Sequence, residues 1–231
     1  MSFTYLPVAI VTGLLAGMLH VVSGPDHLAA VAPLTLQNKK HPWLTGLWWG
    51  IGHSTGVWIV GALAFLLKDV LPVAQLSGWS EKLVGIVLIV LGLWAFRRAF
   101  RHRIHIHEHE HDGISHIHIH VHSRSELETP HHATTHHHSH APLGIGILHG
   151  LAGSSHLLGI LPALALPGWP ATAGYIVAFG VGSIIAMTTV AFVIGKSAHH
   201  LLRWSSKSFL YLQYTFASAA ILIGIYWVWF I

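Results

Sequence analysis

Gly17-Met18-Leu19-His20-Val21-Val22-Ser23-Gly24-Pro25-Asp26-His27-Leu28-Ala29-Ala30-Val31-Ala32-Pro33 decides how the rest of the chain is read. It lies in an apolar stretch long enough to cross a bilayer, yet it carries two histidines, an aspartate and a Gly-Pro break. A carboxylate near the bilayer centre costs about 2.5–3.5 kcal/mol on insertion scales, so it needs a compensating partner. The pattern returns 129 residues later, from Gly146-Ile147-Leu148-His149 through Gly153 and His156-Leu157 to Pro162, with seven of 17 aligned positions identical. The repeat predicts an internal duplication, each half holding a His-x6-His pair inside the membrane.

Composition agrees. Of 231 residues 9% are charged and 53% apolar, and the mean hydropathy is +0.59, so a soluble core is excluded as the class. Apolar runs of about 20 residues read as transmembrane helices. Six spans are expected, near 7–35, 43–66, 82–100, 142–166, 171–195 and 208–231. The fold class is therefore an all-α integral membrane protein of six helices. Residues 1–100 form a first three-helix repeat, 101–140 a His-rich loop and 141–231 a second repeat. Three spans is an odd number, so the second repeat enters from the opposite side, giving two inverted repeats. Residues 7–35 read as a retained span rather than a signal peptide, since no basic segment precedes them.

Cytoplasmic loops are enriched in Lys and Arg. With the N-terminus outside, ten of the twelve basic residues fall on the cytoplasmic side. The expected location is thus the plasma (inner) membrane, N-out and C-out, with the His-rich loop in the cytoplasm and the lipid bilayer as surroundings. No nucleic-acid partner is expected. The chain has no cysteine, which removes disulfides, thiol electron transfer and thiolate metal sites. No P-loop is present, so ATP does not drive it from within this chain.

Fifteen of the 23 histidines lie between 101 and 140. His105, His107, His109 and His111 alternate, Asp112-Gly113 follows, and His116, His118, His120 and His122 alternate again. Alternation marks one face of a strand, and Asp-Gly favours a type I′ turn. A two-residue turn would pair His109 with His116, His107 with His118 and His105 with His120, a metal-binding hairpin over 103–122.

Within the membrane, Pro25 removes an N–H and breaks the helix, and Gly24 lets the chain turn. The break can bring His20 toward His27, with Asp26 as ligand, orienting partner or proton acceptor. Gly50-Ile51-Gly52-His53-Ser54 in the second span resembles Gly180-Val181-Gly182-Ser183-Ile184 in the fifth. The expected metal residues are His20, Asp26, His27, His53, His149 and His156. Neutral imidazole with carboxylate suits divalent nickel, cobalt, zinc, manganese or iron. A polytopic metal-dependent hydrolase using the same His/Asp site is the alternative, and a haem protein with facing histidines a third reading. No His-Glu-x-x-His motif or second intramembrane acid supports the hydrolase.

Leu19-His20-Val21-Val22-Ser23-Gly24-Pro25-Asp26-His27-Leu28-Ala29-Ala30, followed by Ile51-Gly52-His53-Ser54-Thr55, resembles the nickel–cobalt transporter family, in its UreH-like branch within the LysE-like superfamily. The resemblance implies transport of nickel or cobalt, with His20, Asp26, His27 and His53 associated with the metal. It also implies metallochaperones or urease and hydrogenase maturation proteins as partners. The high-affinity permeases of the family have four residues between His and Asp-His, whereas this chain has five between His20 and Asp26.

Overall fold

The computed structural model describes residues 4–38, 40–66, 73–101, 103–111, 114–122, 141–152, 159, 162–163 and 165–230. The helices are α1 (Leu6–Ser23), α2 (Pro25–Thr35), α3 (Pro42–Leu66), α4 (Val73–Arg101), α5 (Ala141–Ala152), α6 (Trp169–Trp204) and α7 (Ser206–Phe230). Two strands, β1 (Arg103–His111) and β2 (Ile114–His122), lie between α4 and α5. Four helices among the described residues are long and apolar enough to cross a membrane: α1, Glu81–Phe100 within α4, α6 and α7. The 25-residue α3 is not one of these four among the described residues and stands where the second span is expected. The fourth begins as the short apolar α5, and most of its remainder lies outside the described residues.

The first expected span is broken, as Pro25 requires. α1 ends at Ser23, and Gly24 connects it to α2 with φ −83° and ψ 105°. The Gly24 N–H still donates to the carbonyl of His20 at 3.0 Å, and Pro25 opens the new helix at the position where a missing N–H is harmless.

α1 shows why these helices assemble. Its lipid-type side chains Val8, Val11, Leu15, Leu19 and Val22 point outward, while Ala9, Gly13 and Gly17 are buried. Between apolar helices in a membrane, small residues permit close backbone approach and dispersion contact. Gly17 lies against the carbonyl of Phe179, and Gly182 of α6 against that of Leu14. The other half repeats this: Gly146 lies against the carbonyl of Trp49, and Gly52 against that of Leu143. The last helices also exchange roles, with Gly92 against Ala217 and Gly224 against Gly85. Each contact becomes its mate when helices of the first half are swapped for those of the second. Contacts along the helices give their directions. α1 runs with α6, α3 runs with α5, and α3 opposes α6, with Pro42 beside Gly195, Ser54 beside Gly180 and Trp58 beside Ile176.

A methyl group at Gly17 or Gly146 would collide with backbone, which cannot yield as a side chain can. Overpacking of this kind costs about 1–3 kcal/mol. Gly17→Ala and Gly146→Ala should therefore lower the thermal midpoint in detergent. Gly144→Ala, whose methyl would meet nothing within 4 Å among the described residues, should leave it unchanged or raise it. Equal midpoints for all three would contradict this packing.

β1 and β2 pair antiparallel, with His105 opposite His120, His107 opposite His118 and His109 opposite His116. The turn at Asp112-Gly113 and the later histidine tract lie outside the described residues.

Candidate metal centre

The helix break puts Asp26 and His27 in the first turn of α2, directly beneath the end of α1 that carries His20. α3 supplies His53 from its middle, and α5 supplies His149. His20, His27 and His53 form one group of three donors, and Asp26, His27 and His149 another. Within each group the donor atoms lie within 4.8 Å of one another. His27 belongs to both. His27 and His53 are fully buried, His149 is 1% and Asp26 2% exposed, and His20 is half-buried. Five of the six intramembrane residues expected from the sequence thus meet in one place, and His156 lies outside the described residues.

Asp26 ties the groups together. Nδ1 of His27 donates to Oδ1 of Asp26 at 3.0 Å, and Nε2 of His149 donates to Oδ2 at 3.0 Å. A carboxylate accepts only, so these bonds assign the N–H of each ring. They leave the lone pair of His27 on Nε2 and that of His149 on Nδ1. A carboxylate holding one imidazole nitrogen while the other is offered to a cation is the usual support of a metal-ligating histidine. The His20, His27 and His53 group is therefore the better-prepared cation position, with Asp26 orienting His27 from behind.

Gly24 has a different role from the one its sequence context implies. Its φ of −83° is open to any residue. What excludes other side chains is space: a Cβ there would run into Nδ1 of His27 and Oδ1 of Asp26. Gly24→Ala should therefore part the His27–Asp26 pair and lower cobalt(II) affinity by about the 10–100-fold typical of losing a supporting carboxylate, read by titration of the cobalt d–d absorption. Unchanged affinity would contradict the geometry.

Two residues absent from the sequence reading border the site. The Trp49 ring stacks on His53 at 5.0 Å between centroids and lies 5.1 Å from His149. The Phe179 ring lies 5.4 Å from His20. A signal for them existed: in the alignment of the second and fifth spans, each immediately precedes the first glycine, Gly50 and Gly180.

Comparison with known proteins places this helical core. The family described as cytochrome c biogenesis protein transmembrane region matches residues 6–226. The chain belongs to that family. It is an integral membrane protein, as its spans also require. Having no cysteine, these 231 residues perform no thiol–disulfide chemistry of their own. The chain is 34% identical over 191 residues to chloroplast protein FOR GROWTH AND FERTILITY 1 of Arabidopsis thaliana, covering 82% of this chain and 50% of that protein. It is 31% identical over 215 residues to FOR GROWTH AND FERTILITY 2 of the same plant, covering 93% and 54%. It thus spans about half the length of these chloroplast relatives. Urease accessory protein UreH of Bacillus sp. (strain TB-90) is 31% identical over 200 residues, covering 79% of this chain and 74% of UreH. No solved structure matches the chain.

Proposed function

We propose that the chain carries divalent transition-metal ions, nickel or cobalt, across the membrane through the buried histidine–aspartate cluster. The observation that carries this reading is the meeting of His20, His27, His53 and His149 around Asp26, from both halves of the chain, within an apolar helical body. Imidazole-rich sites with a single carboxylate suit nickel, cobalt and zinc better than magnesium or calcium. Similarity to a urease accessory protein and the resemblance to nickel–cobalt transporters support the same ions. Zinc, manganese and iron are the competing cargoes.

The exchanged glycine contacts, and the opposite directions of α1 and α5 that follow from α1 running with α6, support two inverted three-helix repeats crossing six times. Alternating access then rocks one repeat against the other around the cluster. The basic residues support the N-out, C-out orientation in the plasma membrane. His156 adds a ligand from the second repeat, and metallochaperones or urease and hydrogenase maturation proteins receive or supply the ion. The chain acts as a carrier and not as an enzyme.

The hairpin serves as a cytoplasmic metal collector. Its backbone register supports three cross-strand histidine pairs, His105/His120, His107/His118 and His109/His116. A lone hairpin is marginal in water, so nickel should protect residues 103–122 from protease. Identical cleavage with and without nickel would refute the collector.

The test of transport is ion flux in proteoliposomes for nickel, cobalt, zinc and manganese under a proton gradient. Selective movement of nickel or cobalt is expected. Metal that binds the helices while no ion moves in either direction would overturn transport and favour a membrane metalloenzyme.

A further inference from the structure

The two largest fully buried side chains among the described residues are Trp49 and Phe179. They are internal counterparts. The carbonyl of Trp49 lies against Gly146, and its ring packs on His149, three residues further along α5. The carbonyl of Phe179 lies against Gly17, and its ring packs on His20, three residues further along α1. His27 links the two pairs, its ring 4.5 Å from that of His20 and 5.0 Å from that of His149.

Their heights differ. α3 and α6 are antiparallel, with Ser54 donating to the carbonyl of Gly180 at 2.8 Å and Gly50 lying beside Ile184. Trp49 is therefore displaced from the level of Ser54 toward the face carrying residues 36–41, where α3 begins. Phe179 is displaced toward the opposite face, carrying residues 165–168, where α6 begins. A carrier must close its site toward each side in turn, and a large apolar ring over an imidazole ligand excludes water and ions from that direction.

We propose that Trp49 and Phe179 are the two gates of the cluster, Trp49 closing it toward the 36–41 face and Phe179 toward the 165–168 face. The proposal rests on the transport reading and gives each half of the chain one gate. They are positioning residues, since an indole N–H and a phenyl ring offer a divalent cation no lone pair.

The absence of native cysteine permits a direct test. Ser54 is fully buried at a level between the rings, and in Ser54→Cys it becomes the only thiol in the full chain. Its reaction with a small, charged, membrane-impermeant thiosulfonate is timed without metal, in vesicles of one orientation, with reagent on one side at a time. Trp49→Ala should speed the reaction at least tenfold from the 36–41 face alone, and Phe179→Ala at least tenfold from the 165–168 face alone. Trp49→Phe, which keeps a ring, should restore the slow rate. Acceleration from both faces equally, or from neither, overturns the gates. If Ser54→Cys does not accumulate in the membrane, Ser183→Cys, also fully buried, takes its place under the same criteria. Cobalt(II) absorption of each variant is read in parallel. Absence of a cobalt band when the fifteen histidines of residues 101–140 are alanine and Trp49, Phe179 and Ser54 are intact would sink the metal reading while leaving the sided labelling to judge the gates.

Discussion

His27→Ala is expected to abolish any cobalt(II) absorption band of the intramembrane cluster and to lower metal affinity about 100-fold or more. Losing only a supporting partner of a metal ligand typically costs about 10–100-fold, and His27 is more than that. It is the one residue common to both donor groups, so neither retains three donors without it. Its removal also leaves Oδ1 of Asp26 without the N–H that it accepts at 3.0 Å, in a site that is 2% exposed at Asp26. A buried acceptor stripped of its donor costs about 1–3 kcal/mol, more when charged, so the variant should also melt earlier. His27→Gln, which restores a donor but no imidazole, should recover stability and not metal binding. Recovery of both would assign His27 to packing alone. So that the loop makes no contribution, the titration is made with all fifteen histidines of residues 101–140 replaced by alanine.

Asp26→Asn has the second largest expected effect, and it differs in kind. The carboxylate accepts from His27 on one oxygen and from His149 on the other. An amide has one acceptor oxygen and one donor nitrogen, so one histidine must turn or change tautomer. If Asp26 orients His27 from behind, affinity should fall about 10–100-fold while the cobalt ligand-field band keeps its position. If Asp26 is itself a ligand, the band shifts, because an oxygen donor is lost. Extinction or a marked shift of the band would therefore contradict the orienting role.

The helix break and five of the six intramembrane residues were legible because they violate what a membrane helix tolerates. His20, Asp26 and His149 have no cheap place in lipid, and Pro25 cannot continue a helix, so each announces itself. The hairpin register was legible for another reason: alternation on either side of Asp-Gly implies a two-residue turn, and the observed register has His109 opposite His116 as that turn requires. The bordering rings were not. Trp49 and Phe179 look like any aromatic residue in an apolar span, and only packing distinguishes a ring over an imidazole from one facing lipid. Gly24 was legible as a break and misread in cause. Its backbone is ordinary, and the constraint comes from His27 and Asp26 folding back beneath it, a contact with no trace in local sequence. Which helices touch was hidden as well, although the small residues that allow it were visible. Gly17 and Gly146 acquire partners only once α6 and α3 arrive.

Carriage of metal by the buried cluster is tested most directly by nickel counterflow. Vesicles holding the chain with all fifteen histidines of residues 101–140 replaced by alanine are preloaded with unlabelled nickel and placed in trace labelled nickel. Labelled ion should accumulate transiently above its equilibrium level, and His27→Ala should remove the overshoot. An overshoot of unchanged size in His27→Ala would place the transported ion somewhere other than this cluster.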